Sequence, residues 1–193
     1  MQIPNMLRTK SLLLLAALTL APWASAQTSM PGMSHAAVPG SPLASLKGKA
    51  FDRAFLSMML VHHQGAVDMS EAVLKKLTDP QVKTWTADII KVQKAEINEM
   101  RAWATTLGGV DPSVQRGMKS EMATMMSALN SSQNSNVGLV RGMIPHHASA
   151  IDMASLALQR SSDTHVLTLA HGILRSQADE MYAYRQWLIK RGL

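Results

Sequence analysis

The segments MLVHHQGAVDM (residues 59–69) and MIPHHASAIDM (143–153) each set a pair of adjacent histidines in apolar sequence of helical period. Residues three and four apart are neighbours on a helix surface, and Met59, His62 and His63 have that spacing. At 100° per residue, Met59 falls about 60° from His62, His63 about 100° and Met69 about 20° on the other side. A thioether therefore sits between two imidazoles, with the small Ala66 below. Met143, His146, His147, Ala150 and Met153 repeat the arrangement. Thioether sulfur with neutral imidazole suits copper, whereas magnesium and calcium require oxygen. The candidate metal ligands are thus Met59, His62, His63, Met69, Met143, His146, His147 and Met153. The competing reading of one such cluster is ordinary packing; its recurrence in register favours ligation.

A second constellation has Gln93, Glu96, Met100 and Trp103 on one helix face, matched by Gln177, Glu180, Tyr184 and Trp187. The tryptophans mark that face as inward. A carboxylate there is costly unless partnered, and the N–H of a metal-binding imidazole is a natural partner that would fix its tautomer. Glu96 and Glu180 are therefore candidates to support the ligands, with pairing to Arg or Lys as the alternative. Asp68 and Asp152 point away from the His-Met patch on the same wheel. Two auxiliary metal candidates remain. Met30, Met33 and His35 in MPGMSH form a short soft chelating sequence, equally readable as linker; Met118, Met122, Met125 and Met126 form a helical stripe, a pattern more common in cores. His165 and His171 have no histidine counterpart in the repeat and read as structural.

The elements that must position these groups are helices. The segment from Phe51 to Leu77 has apolar residues at helical spacing. Asp79-Pro80 starts a second helix that Gly108-Gly109 ends near Leu107. Asp111-Pro112 starts a third, interrupted by NSSQNSN at 130–136; a long helix resumes near Val137, where Pro145 is expected to kink or restart it just before His146. Asp163 caps a last helix running to about Lys190. No alternating pattern suggests a strand. A constant offset of 84 residues relates Met59, His62, His63, Ala66, Asp68 and Met69 to their second copies. Asp79, Gln93, Glu96, Arg101 and Trp103 recur as Asp163, Gln177, Glu180, Arg185 and Trp187 without a gap. Two helical hairpins of one design, about 48–108 and 132–192, bury their apolar stripes best in an all-α, ferritin-like four-helix bundle spanning 46–193.

At the N-terminus, Arg8 and Lys10 precede SLLLLAALTLAPWA, an apolar run short for a membrane span, and ASA at 24–26 has the form of a signal peptidase site. Residues 1–26 are thus expected to be a signal peptide cleaved after Ala26, and the Met-, Pro- and Gly-rich 27–45 a flexible arm. There is no cysteine among the 193 residues, which excludes a lipid-anchored N-terminus, disulfides, thiolate metal sites and thiol nucleophiles. A soluble protein of a bacterial periplasm is expected, without a stable membrane anchor. Loss of the leader leaves 17 Lys and Arg against 13 Asp and Glu, a charge of +4 that is scattered rather than patched, so nucleic acid is not an expected partner.

The pattern MxxHHxxAxDM followed by QxxExxxxxxW resembles the family known as domain of unknown function 305, which comprises ferritin-like four-helix bundles and includes CopM-like exported copper-binding proteins. The resemblance covers about residues 48–192. It implies periplasmic copper binding in metal resistance or homeostasis, with Met59, His62, His63, Met69 and their second copies as the matching positions. The leading expectation is a non-enzymatic protein that buffers or carries copper, Cu(I) in preference to Cu(II), with copper ions and other periplasmic copper-handling proteins as partners. One alternative is a copper-dependent oxidoreductase; a di-iron or di-manganese centre would need Glu-x-x-His pairs, and the sequence has none. Another is a metal-free helical adaptor. A hydrolase has no support, since no nucleophile-elbow sequence occurs.

Overall fold

The computed structural model describes residues 42–193. Five α-helices follow one another: α1 (Gly48–Val73), α2 (Pro80–Thr106), α3 (Pro112–Asn130), α4 (Ser135–Arg160) and α5 (Thr164–Ile189), with a 3₁₀ turn at Leu74–Lys76 after α1. Among the described residues there is no strand. Side-chain caps set where four of the helices begin. Asp79 accepts from the amides of Gln81 and Val82, and Asp163 from those of His165 and Val166. Asp111 accepts from Ser113, and Asn134 from Asn136 and Val137. Beyond α2, Gly108 and Gly109 take φ of 94° and 84°, a conformation that costs glycine little, and the Gly109 amide closes on the Ala104 carbonyl at 2.8 Å.

Helices α1 and α2 form one hairpin and α4 and α5 the other. Hydrogen bonds at their ends show α1 and α4 to be antiparallel. At one end, the Asn136 amide oxygen accepts from the Thr78 and Asp79 amides at 3.1 Å each, while its nitrogen donates to the Thr78 hydroxyl at 2.8 Å. At the other, the Arg160 guanidinium donates to the carbonyls of Leu43 and Ala44. Asp79 also receives the Trp187 indole N–H and the Arg191 guanidinium, tying the start of α2 to the end of α5. Leu43, placed by sequence in the arm, is fully buried, so packing begins three residues before the expected boundary.

Helix α3 is an addition to the four-helix plan. It lies against α1, where Met118 and Met122 are buried in the same apolar cluster as Met59. Gly65 permits the approach, because a Cβ there would collide with the Met122 thioether. The expected interruption at Pro145 is absent: α4 runs unbroken through it for 26 residues. Pro145 lies on the exposed side of the helix, where its missing donor and the freed carbonyl face solvent, while the opposite side is locked into the core through His146 and His147.

Candidate metal centre

Where α1 crosses α4, the four motif histidines lie together, each fully buried. The rings run in the order His63, His62, His146, His147, with centroid separations of 6.1, 3.7 and 5.8 Å. The two motifs thus meet as one quartet.

Every imidazole spends the same nitrogen in the same way. His62 Nε2 donates to the His146 carbonyl at 2.9 Å, and His146 Nε2 donates to the His62 carbonyl at 3.1 Å. His63 Nε2 meets a Glu96 carboxylate oxygen at 2.9 Å, and His147 Nε2 meets Glu180 at 2.6 Å. Carbonyl and carboxylate oxygens only accept, so each ring carries a proton on Nε2, which in a neutral ring leaves the lone pair on Nδ1. All four Nδ1 atoms are buried without a hydrogen-bond partner. Such orphaned groups are few in native proteins. Here four of the nine among the described residues belong to one quartet, and the Oε1 atoms of Gln93 and Gln177, a repeat pair, add two more.

Electrostatics keep the inner pair neutral. Burial, reinforced by the neighbouring His63, lowers the His62 pKa from 6.5 to about 3. Burial, then the adjoining His62, holds His146 well below the usual histidine range.

The methionines of the motifs are buried in the same core and divide between its two apolar clusters. Met59 and Met153 belong to one, and Met69 and Met143 to the other. Each cluster therefore holds one motif sulfur from α1 and one from α4, a division across the repeats that a helical wheel, drawn one helix at a time, does not reveal. Among the described residues no three His, Asp or Glu side chains converge tightly enough to hold an ion by themselves. A site here would have to draw on sulfur as well as nitrogen, and Nδ1 lone pairs with thioethers are donors suited to copper.

Other sequence candidates fall elsewhere. Asp68 and Asp152 are exposed, and Asp68 accepts from Gln64 at 2.8 Å. Met118, Met122, Met125 and Met126 line the side of α3 that packs on the bundle. Met30, Met33 and His35 lie outside the described residues, as do the signal peptide and most of the arm. Two features beside the centre were not anticipated. One is the exchange of ring N–H groups onto the other helix's backbone. The other is Trp85, whose ring meets Tyr184 edge-on at 5.1 Å; Tyr184 in turn lies 5.6 Å from His147. Trp85 aligns with Leu169 across the repeat, and that mismatch was its only signal in the sequence.

Fold and centre together define a class: paired helical hairpins with a buried His-Met core at their crossing. The chain belongs to the DUF305 family, a domain of unknown function, whose profile matches residues 19–104, 55–139 and 136–193. Among solved structures, CopM in its Cu(II)-bound form is similar with a TM-score of 0.64 and 33% identity, covering 72% of this chain and 96% of CopM. CopM in its Cu(I)-bound form matches with a TM-score of 0.62 and 32% identity over the same shares. A DUF305 protein of Streptomyces coelicolor, a candidate secreted protein, has a TM-score of 0.64 at 25% identity, covering 73% of this chain and 93% of its own. An uncharacterized protein, L153, of Acanthamoeba polyphaga mimivirus is 37% identical over 60 residues, which span 30% of this chain and 40% of that protein.

Proposed function

We propose that the protein is a periplasmic copper-binding protein that buffers or carries copper, chiefly as Cu(I), in metal homeostasis or resistance. The observation that carries this reading is the set of four buried Nδ1 lone pairs, each aligned by a hydrogen bond at the opposite nitrogen. Burying such acceptors without partners costs free energy, and a coordinated ion would supply the missing interaction. The sulfurs of Met59, Met69, Met143 and Met153 complete a donor set that the cuprous ion favours. CopM, to which the chain is similar in fold and 33% identical over the aligned part, has been solved with Cu(I), Cu(II) and Ag bound.

Glu96 and Glu180 support the reading because a carboxylate on the distal N–H fixes the tautomer and raises ligand basicity. Export is supported by the basic, apolar and small-residue order of residues 1–26. Among the described residues, no helix is long and apolar enough to cross a membrane. The partners expected are copper ions and the periplasmic proteins that deliver or accept them.

The test is a Cu(I) titration against bicinchoninate. Wild-type protein should withdraw copper from the chelator, and the variant with His62, His63, His146 and His147 all changed to Ala should not. Retention of full binding by a folded quadruple variant would overturn the assignment.

A further inference from the structure

The quartet is close to symmetric, but its flanks are not. A cavity of about 270 Å³ lies between α2 and α5 with Glu96, the partner of His63, in its wall. Shifting its lining by the 84-residue offset leads to the His147 side. There Val82, Trp85, Val140 and Tyr184 take the places of Val166, Leu169, Leu56 and Met100. The cavity that these four residues help to line is about 10 Å³. Side-chain bulk makes the difference, since Trp85 replaces Leu169 and Tyr184 replaces Met100. The two aromatic rings pack edge to face beside His147.

The open flank also has the chemistry an ion would need on its way in. Glu96, Glu99, Met100 and His165 offer carboxylate, thioether and imidazole around one space. On the closed flank the buried Tyr184 hydroxyl has no partner. The carboxylates themselves do not set the flanks apart, since Glu96 and Glu180 both reach solvent, with 21% and 31% of their side chains exposed. Free volume does. A cavity of this size accommodates several waters at roughly 30 Å³ each, enough for an ion to arrive hydrated and shed its shell stepwise. A close-packed aromatic pair must move aside before anything passes.

We propose that the cavity between α2 and α5 is the port by which a thiophilic cation reaches the buried centre, so that the His63 half loads first and the His147 half, closed by Trp85 and Tyr184, loads slowly. The port rests on the copper-binding reading above and adds to it an order of loading.

The experiment is stopped-flow transfer of Cu(I) from its bicinchoninate complex to the purified protein, read as the loss of chelator absorbance. Wild type should show a fast and a slow phase. Exchanging the flanks' residues separates the phases by structure. The variant Leu169→Trp should slow the fast phase tenfold or more, with the copper bound at equilibrium unchanged. Trp85→Leu/Tyr184→Met should bring the slow phase up toward the fast one. Gly172→Leu provides a mild obstruction: Gly172 lines the cavity, and a Cβ there meets nothing within 4 Å, so the helix tolerates it. It should slow the fast phase alone. A single wild-type phase would overturn the port, as would unchanged rates in Gly172→Leu and the opened variant with binding intact; either result leaves the copper reading standing. A wild-type protein that takes no copper from the chelator overturns both.

Discussion

His62 and His146 each hand a ring N–H to the other's backbone, so neither ring can rotate to offer a different nitrogen without breaking a buried hydrogen bond. His63 and His147 are fixed in the same tautomer by carboxylates. Glu96→Gln and Glu180→Gln keep an acceptor oxygen but remove the charge that makes the imidazole a better donor. Each should weaken Cu(I) affinity about 10- to 100-fold with little effect on the apo fold, as checked by chelator competition and circular dichroism. Unchanged affinity would mean that the carboxylates only satisfy a buried N–H. At this scale the sequence showed which residues share a helical face and was blind to whom they touch. Spacing put Met59, His62 and His63 on one helical face. The bond from His62 to a carbonyl 84 residues away, and the division of the sulfurs between clusters shared by α1 and α4, arise from a crossing that no single-helix wheel contains.

Helix boundaries were legible because side-chain chemistry at the ends writes them locally: Asp79-Pro80, Asp111-Pro112 and Asp163 sit at the start of α2, α3 and α5. Pro145 was misread, since a proline's effect depends on which side of the helix it occupies, and that is settled by tertiary packing. The seat of α3 on α1 was hidden for the same reason, being set by the absence of a side chain at Gly65. Gly65→Ala should force the Met122 side chain to shift, at a cost of about 1–3 kcal/mol that offsets or exceeds the ~1 kcal/mol helix-propensity gain. Gly142→Ala, in α4 with nothing within 4 Å of an added Cβ, should instead collect that gain. Urea midpoints that move in opposite directions for the two variants would bear this out. A Gly65→Ala midpoint as high as that of Gly142→Ala would show that α3 is only loosely seated.

For the molecule as a whole, a neutral buried histidine pair makes stability depend on acidity. The unfolded chain protonates both rings near pH 6.5, whereas folded His62 resists until about pH 3 and His146 is also held far below 6.5. Depressed folded values mean that stability is greatest above pH 6.5 and is lost as pH falls toward 3. Two such groups give a slope approaching about 2.7 kcal/mol per pH unit. Urea unfolding of apo protein at pH 7.5, 6 and 5 should show the loss, and a flat profile would mean the rings admit protons in place. Copper that binds only the folded state should add about 2.7 kcal/mol at a free concentration 100 times its Kd, observable as a raised Tm that EDTA or bicinchoninate reverses. If the Tm does not respond to copper, the adaptor reading gains over the carrier.

The 84-residue repeat also bears on how such a molecule can change. Were the two hairpins separate identical chains, any substitution would appear on both flanks at once, and a wide mouth on one side would oblige a wide mouth on the other. Joined in a single polypeptide, they inherit matched imidazoles while each flank mutates alone. Trp85 and Tyr184 opposite Leu169 and Met100 are what that independence allows: one helical design carried twice, roomy beside one copy and filled beside the other.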